Sequence, residues 1–384
     1  MIRDLKLKPD FNQTIERFAA WWVGEIIDRP PVTVSVTPGR PYTGTSPCGK
    51  GPISAPPTCQ ARWLDVEFVV EAAIATMEQT DYIADRFPVF WPNLGPEISA
   101  TPFGCELTFT ETTSWSSPVI RASDDWQRFI ETPPDFGNGY WQTIERMTDY
   151  ALERCEGRFV VGLTDLHGSY DILAALRDPM LLCLDLVDCP ELVIQAGKHV
   201  AQCYLTQFER LYARVAAAGF GATTWLPVYH KGPAYVPSCD FWCMVSPQVA
   251  RDLILPDLLT EMKPLERSIF HLDGPQALRH LELILELPQL NAVQWVYGAG
   301  NGPAARWVET YRRIRQAGKS LQLIAHDARD ALTVLEQIGP AGVWVSVETP
   351  FASVEAANAF LKAIERGQGS KNRVFANHHT IYSR

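Results

Sequence analysis

The stretch SIFHLDGP, residues 268–275, reads as a buried β-strand that runs into a turn. Its end carries His271 and Asp273, two residues apart, among apolar neighbours. Successive side chains of a strand point to opposite faces, so these two share one face while Leu272 points to the other. The pair therefore indicates either a chemical site at the strand end or a carboxylate that orients an imidazole and caps the turn at Gly274.

Seven further β-rich runs surround this strand in the sequence, with amphipathic helical segments between most of them. The runs cover residues 31–37, 86–91, 158–164, 223–240, 292–297, 321–326 and 343–348. Alternating strands and helices predict a parallel sheet, and eight such units favour closure into a barrel. The predicted fold is an α/β, TIM-type (β/α)8 barrel with an N-terminal loop-rich extension. It forms one domain over residues 1–366, and residues 367–384 are predicted to be an irregular tail.

Composition and charge exclude several classes of partner. The chain has 384 residues and a formal net charge of −10, which disfavours nucleic acid and anionic membrane surfaces because both require basic patches. No run of 18 apolar residues occurs, and the first residues lack the apolar core of a signal peptide, so a cytoplasmic location is expected. The nine cysteines follow no disulfide or zinc-site spacing and are expected to be reduced thiols. A homodimer is possible on the sequence.

One long segment, residues 39–60, is rich in Pro, Gly, Ser and Thr. Such composition predicts a loop without regular structure. Long loops in compact enzymes often act as lids or binding loops, but a surface excursion without a role is an equal alternative.

Polar residues recur at the predicted strand ends. A barrel enzyme builds its site at the C-terminal ends of its strands, so position on a strand becomes a test of function. The polar residues at or just after the C-terminal end of a predicted strand are Asp165, His167, Asp240, His271, Asp273, His326, Asp327 and Glu348, with Cys239 and Cys243 beside Asp240. We therefore expect the site at this end of the barrel.

A divalent metal is one interpretation of this end. His271 and Asp273 would supply two ligands from one strand, and Glu348 a third, with an open position for substrate. The alternative is a metal-free acid/base or substrate-orienting pair.

Asp165 and His167 repeat the same spacing on the third strand, and Asp240 follows the fourth. They are predicted to transfer protons or to orient the substrate. The alternative is that Asp165 and Asp240 only cap turns and helices.

Aromatic side chains near the strand ends are predicted to form the walls of the substrate pocket. The predicted substrate-binding residues are Phe90, Trp91, Asn93, Trp295 and Tyr297. Core packing explains the aromatic residues equally well.

The order of these features over residues 60–365 resembles the uroporphyrinogen decarboxylase superfamily, which includes the methyltransferases that serve corrinoid proteins. The resemblance rests on FPVFWPNLGP (87–96), VVGLTDLHGSYDILAALRDP (160–179), DFWCMVSPQVARDLILPDL (240–258), FHLDGPQALRHLELILELPQLNAVQWVYGAG (270–300) and VWVSVETPFASVEAANAFL (343–361). It implies the same (β/α)8 barrel that the strand count predicts.

Departures from the pattern point to one branch of that superfamily. True uroporphyrinogen decarboxylases carry Arg-Gln-Ala-Gly-Arg after the first strand and Ser-Asp-Ile after the second, and this chain has TPGRPYTGTSP and WPNLGP there. The corrinoid-linked methyltransferases bind zinc through His-x-Cys on the fifth strand and a later Cys. By resemblance, His271 takes the place of that His, while Asp273 and Glu348 replace the thiolates with harder carboxylates.

The resemblance implies a function and its partners. The chain would transfer a methyl group from a small O- or N-methyl substrate to a corrinoid carrier protein, which supplies the cobalamin. Zinc or another divalent metal would be the resident cofactor. The alternatives are a metal-independent, decarboxylase-like lyase and a small-molecule-binding barrel without catalysis.

Overall fold

The computed structural model describes residues 4–36 and 54–366. The tail at 367–384 and most of the long loop at 39–60 therefore lie outside the described residues. Ten strands are described: β1 (Val32–Thr33), β2 (Val89–Phe90), β3 (Leu107–Phe109), β4 (Ser114–Ser116), β5 (Val160–Val161), β6 (Ala234–Tyr235), β7 (Arg267–Asp273), β8 (Ala292–Val296), β9 (Ser320–Ala325) and β10 (Val343–Val347).

Fourteen α-helices alternate with these strands in the described part of the chain. They are α1 (Phe11–Trp22), α2 (Cys59–Leu64), α3 (Val66–Glu78), α4 (Asp125–Glu131), α5 (Gly139–Arg154), α6 (Ser169–Arg177), α7 (Pro179–Asp188), α8 (Pro190–Ala217), α9 (Pro247–Val249), α10 (Leu255–Glu261), α11 (Leu281–Leu285), α12 (Val308–Gln316), α13 (Ala328–Ile338) and α14 (Val354–Glu365). A π-helical segment, Ala250–Ile254, joins α9 to α10. None of these helices combines the length and apolar character needed to span a bilayer.

The strands confirm the predicted barrel class. Six of them lie side by side in parallel, in the order β1-β10-β9-β8-β7-β6, and β2 pairs with β5, also in parallel. These eight strands coincide with the eight predicted runs. The antiparallel hairpin β3–β4 is an addition that the sequence analysis did not predict.

Hydrogen bonds join the two parallel sheets on both sides. Asp85 N donates to Val32 O at 2.8 Å beside β1, and Leu163 N donates to Thr223 O at 2.9 Å beyond β5. The hydroxyl of Tyr235 on β6 donates to the carbonyl of Thr164 at 2.5 Å. The eight parallel strands therefore follow one another in the cyclic order of a TIM-type barrel.

Local signals set the helix ends, as α13 illustrates. The Asp327 side chain accepts a hydrogen bond from Asp330 N at 2.8 Å and so caps the first turn. Gly339, with φ of +76°, ends the helix. The buried face of α13 includes Leu332 and Leu335, which pack in the main core between strands and helices. Such a cap contributes about 1 kcal/mol, so most of the stability of the helix comes from its buried face.

Helix α1 closes the N-terminal end of the barrel. The indoles of Trp21 and Trp22 donate to the carbonyls of Leu321 and Tyr229, at 3.1 and 3.0 Å. Phe18 contacts Trp344 with a ring-centroid distance of 5.4 Å. The extension was predicted to be loop-rich, and this helix was not predicted. Because α1 fills the N-terminal end, the C-terminal strand ends are left for a site.

A buried ion-pair cluster fastens α1 to the barrel. The Asp85 side chain has no exposed surface and accepts hydrogen bonds from Arg17 at 3.0 Å, from Val32 N at 2.9 Å and from the Arg29 guanidinium. Each Asp85 oxygen therefore meets a cationic donor. Such a pair compensates for the cost of burying charge only while both partners stay in place.

Candidate active site

Three of the predicted residues converge at the C-terminal end of β7. Asp240, His271 and Asp273 each offer one ligand atom, and these atoms all lie within 4.8 Å of one another. His271 and Asp273 lie on the half-exposed face of β7, whose other face is buried. Asp240 follows β6, and the backbone holds it beside β7 because His271 N donates to Pro237 O at 2.9 Å. In the part of the chain that the structure describes, no other group of this kind satisfies the same distance condition.

The donor set suits a divalent cation. One imidazole and two carboxylates are ligands that zinc, manganese and iron(II) accept. Ligand atoms in a tetrahedral zinc site lie roughly 3.4 Å apart, which is inside the 4.8 Å limit that these three atoms satisfy. Asp240 is exposed, so its side chain has room to adjust to a bound ion. Burial raises the pKa of Asp273, and the nearby Asp240 carboxylate raises it further, so a cation would relieve repulsion between the two.

Glu348, predicted as the third ligand, does not belong to this group. It follows β10, which is three strands away from β7 in the sheet order, whereas β6 is the direct neighbour of β7. Three strand spacings amount to about 14 Å along the sheet, beyond the reach of a glutamate side chain. The structure therefore brings Asp240, and not Glu348, next to His271 and Asp273.

Glu348 instead lines a cavity of about 710 Å³ at the ends of β8, β9 and β10. Tyr297, His326 and the glycine-rich loop from 298 to 303 form other parts of its lining, which contains no Lys or Arg. Val296, another lining residue, is the strand-register partner of Asp273. The cavity therefore adjoins the group of Asp240, His271 and Asp273.

His167 lies between two carboxylates and close to Asp240. Its Nε2 is 3.3 Å from Asp165 Oδ2, and its Nδ1 is 3.9 Å from Asp171 Oδ2. Burial alone would lower the pKa of His167, but Asp165, with Asp171 and Asp240, raises it to about 10. His167 is therefore a cation at neutral pH. The predicted acid/base residues Asp165, His167 and Asp240 come together in one cluster.

Asp171 was not predicted, although it stands four residues after His167 in the first turn of α6. Burial, together with the Asp240 carboxylate, raises its pKa to about 6. Its Oδ1 accepts a hydrogen bond from Phe241 N at 2.8 Å, which ties α6 to the segment that carries Asp240. The i, i+4 spacing of His167 and Asp171 was the available sequence signal.

Glycine and glutamate hold the start of α6 in place. A Cβ on Gly168 would lie 2.5 Å from Ser238 O, so only glycine permits this approach of the two strand exits. Glu261, buried on α10, accepts hydrogen bonds from Ser169 N at 2.7 Å and from the Ser169 hydroxyl. Burial raises the pKa of Glu261 to about 8. These contacts position α6 and with it Asp171.

The two cysteines near the site are thiols and not thiolates. Burial raises the pKa of Cys243 to about 11 and that of Cys239 well above its ordinary range. The Cys243 thiol lies 3.8 Å from the carbonyl oxygen of Asp273 and donates to it. Cys239 and Cys243 therefore support the backbone of the site. In the thiol form they offer no soft ligand to a metal.

The predicted wall residues are divided between pocket and core. Tyr297 lines the cavity. Trp295 has no exposed surface and packs edge-on against Trp307, with ring centroids 5.2 Å apart. Phe90 is fully buried and Trp91 is 6% exposed, which places both in the interior. Asn93 is half-buried and caps a turn, because its Oδ1 accepts from Gly95 N at 2.7 Å.

Comparison with known proteins agrees with the fold. The chain is similar in structure to a methyltransferase from Methanosarcina mazei, with a TM-score of 0.60 and 11% identity over 92% of this chain and 98% of that one. This likeness confirms the barrel fold. A B12-independent methionine synthase from Shewanella sp. W3-18-1, in complex with selenomethionine, gives a TM-score of 0.42 at 8% identity, over 89% of this chain and 97% of that one, too weak to carry an argument. No family model matches the chain, and no curated protein matches it.

Proposed function

We propose that this chain is an enzyme of the uroporphyrinogen decarboxylase superfamily and belongs to its methyltransferase-like branch. The observation that carries the proposal is the convergence of Asp240, His271 and Asp273 within 4.8 Å at the C-terminal end of a barrel strand. Barrel enzymes place their chemistry at this end. The shared fold with a methyltransferase supports the same branch.

The proposed reaction moves a methyl group from a small O- or N-methyl substrate to a corrinoid carrier protein. Asp240, His271 and Asp273 would hold zinc or another divalent metal, which would supply Lewis-acid polarisation of the bond between the methyl group and its heteroatom. The substrate would occupy the adjoining cavity beside Tyr297 and Glu348.

His167 has the proton that the leaving heteroatom needs. When the methyl group departs from oxygen or nitrogen, the heteroatom retains the bonding electron pair and gains basicity. The His167 cation, held between Asp165 and Asp171 and close to Asp240, would supply this proton through water, because His167 is not part of the cavity lining. Asp165 then holds the neutral imidazole in position to be protonated again.

The charge of the site favours this reaction over decarboxylation of a polycarboxylate. Asp165, Asp171, Asp240, Asp273 and the nearby Glu348 are acidic, and the cavity lining contains no Lys or Arg. A substrate with many carboxylates would meet repulsion here. A neutral or cationic methyl donor would not be repelled by these carboxylates.

The protonated His167 is also the one observation that favours a metal-independent lyase. After a C–C bond breaks and CO2 leaves, the carbanion would take that proton. Chelation separates the two functions, because a lyase of this kind would keep its activity in metal-free protein. The corrinoid partner, a homodimer and a cytoplasmic location remain predictions.

Metal content tests the proposed site. Full-length protein purified without chelator should contain about one divalent metal ion per chain by elemental analysis. Asp240→Ala and Asp273→Ala should each lower zinc affinity at least tenfold, measured by titration against a competing chelator. Glu348→Ala is the matched control and should leave zinc affinity unchanged.

The outcomes separate the two ligand sets. If Glu348→Ala lowers zinc affinity and Asp240→Ala does not, the third ligand is Glu348. If neither aspartate variant changes the affinity, the metal site is refuted. Methyl transfer itself is tested by incubating the protein with cob(I)alamin and a series of O- and N-methyl compounds, and by following the absorbance of the corrinoid.

A further inference from the structure

A row of hydrogen-bonded side chains runs from His271 across the barrel interior. His271 Nδ1 lies 2.5 Å from Gln294 Oε1, and Gln294 Nε2 lies 2.7 Å from Gln322 Oε1. Gln322 Nε2 lies 2.8 Å from Ser346 Oγ, which lies 2.8 Å from Thr33 Oγ1. The five residues come from β7, β8, β9, β10 and β1, five consecutive strands of the sheet. We call this row the interior relay.

Strand register aligns the three members of the relay on β7, β8 and β9. His271 pairs with Gln294 and Gln294 with Gln322 as direct neighbours on β7, β8 and β9. Both glutamines are 4% exposed, so their amides depend on one another for hydrogen bonds. A buried amide without hydrogen-bond partners destabilises the folded protein. Two buried glutamines therefore destabilise a barrel interior unless their amides are held in orientations that satisfy their hydrogen bonds.

The orientation of the two buried amides sets the direction of the relay. The Trp344 indole can only donate, and it donates to Thr33 Oγ1 at 3.2 Å. The Val345 carbonyl can only accept, and it lies 3.5 Å from the same oxygen. Gln322 Nε2 donates to Ser346 Oγ, so the amide nitrogen of Gln322 faces Ser346. Ser346 and Thr33 share a hydrogen bond in which either hydroxyl can donate.

This direction propagates to His271. With its nitrogen towards Ser346, Gln322 presents its oxygen to Gln294, whose nitrogen donates to it. Gln294 in turn presents its oxygen to His271 Nδ1, which must therefore carry a proton. In a neutral imidazole the lone pair is then on Nε2. The Trp225 ring, 5.4 Å away and nearly perpendicular, restricts the orientation of the imidazole plane.

We propose that Gln294 and Gln322 are positioning residues that hold His271 in the Nδ1–H tautomer. The role rests on the proposed function, because this tautomer leaves Nε2 as the nitrogen for the metal. Metal-bound histidines commonly donate their other N–H to such a partner, and loss of the partner typically lowers metal affinity 10–100-fold.

The tautomer can be read directly in protein freed of metal by chelator. Long-range proton–nitrogen NMR correlations of 15N-labelled protein distinguish a protonated Nδ1 from a protonated Nε2, and the His271→Gln variant assigns the His271 signals among the eight histidines. The spectra are recorded at a pH where the neutral form of His271 is observed. Wild type should show the Nδ1–H tautomer. An Nε2–H tautomer in wild type would overturn the proposal, whether or not the protein binds a metal.

Two variants of Gln294 test the cause. Gln294→Leu removes the acceptor, so the His271 signal should shift to a mixture of tautomers and zinc affinity should fall 10–100-fold. Gln294→Glu keeps an oxygen towards Nδ1 and should retain the Nδ1–H tautomer. Gln337→Leu, an exposed site on α13, is the control for the substitution itself. An unchanged tautomer in Gln294→Leu would show that the relay does not determine it.

Discussion

Replacement of Glu261 by glutamine should make the protein less sensitive to rising pH. Glu261 is 2% exposed on α10, and burial raises the pKa of its carboxyl from 4.5 to about 8. The folded protein therefore retains a proton that the unfolded chain loses near pH 4.5. The stability associated with this proton is complete below pH 4.5 and is lost as the pH rises towards 8. Glutamine mimics the protonated carboxyl and still accepts from Ser169.

The size of the effect follows from the two pKa values. The interval from 4.5 to about 8, at about 1.4 kcal/mol per pH unit, gives on the order of 5 kcal/mol. This is a ceiling, because a folded protein can relax and admit water around an ionised group. Glu261→Gln should match wild type at pH 4.5 and be more stable by up to that amount at pH 8.5. Urea unfolding of both proteins across this range measures the difference.

Asp257→Asn, one helical turn earlier on α10, is the matched control. Burial raises the pKa of Asp257 only to about 6, so its difference from wild type should stop growing near that pH. The Glu261→Gln difference should continue to grow up to about pH 8. Parallel stability curves for wild type and Glu261→Gln from pH 4.5 to 8.5 would refute the reasoning, since they would mean that the carboxyl ionises normally in the folded protein.

Two further substitutions test the packing that supports the site. Asp85→Ala should lower the free energy of unfolding by about 3–5 kcal/mol, because it leaves the buried Arg29 guanidinium only the exposed Glu365 carboxylate, 3.9 Å away. A loss below about 1 kcal/mol in urea would contradict the buried-pair interpretation. Trp91→Ala should lower it by about 3–5 kcal/mol with zinc affinity unchanged, because the side chain is 6% exposed. Reduced zinc affinity at unchanged stability would instead place Trp91 beside the metal ligands and not in the core.

Much of the fold could be predicted from local patterns. Alternating β-rich runs and amphipathic segments gave eight parallel strands at the predicted places, because strand and helix periodicities are properties of neighbouring residues. The same period placed His271 and Asp273 on one face of β7. Helix α1 was missed as the closure of the N-terminal end, since its partners, such as Leu321 and Tyr229, are far away in the sequence.

Strand alternation also indicates a polar contact inside the barrel at β8. Gln294 and Trp295 are adjacent on β8 and must face opposite sides. The glutamine meets His271 in the barrel interior, so the tryptophan faces the helices and packs on Trp307. A glutamine within AVQWV was the signal for a polar contact inside the barrel. Its partner on β7 could be named only once the register between the strands was known.

The sequence by itself determined which residue types stand at the strand ends, and that His271 and Asp273 point the same way. Tertiary structure alone decided which third carboxylate accompanies them. Glu348 and Asp240 both follow predicted strands, but β10 lies three strands from β7 while β6 lies beside it. Periodicity fixes the face of a side chain within its own strand. The distance between two strand ends depends on strand order and on the path of the connecting backbone, which here brings Asp240 to His271 and leaves Glu348 in the neighbouring cavity.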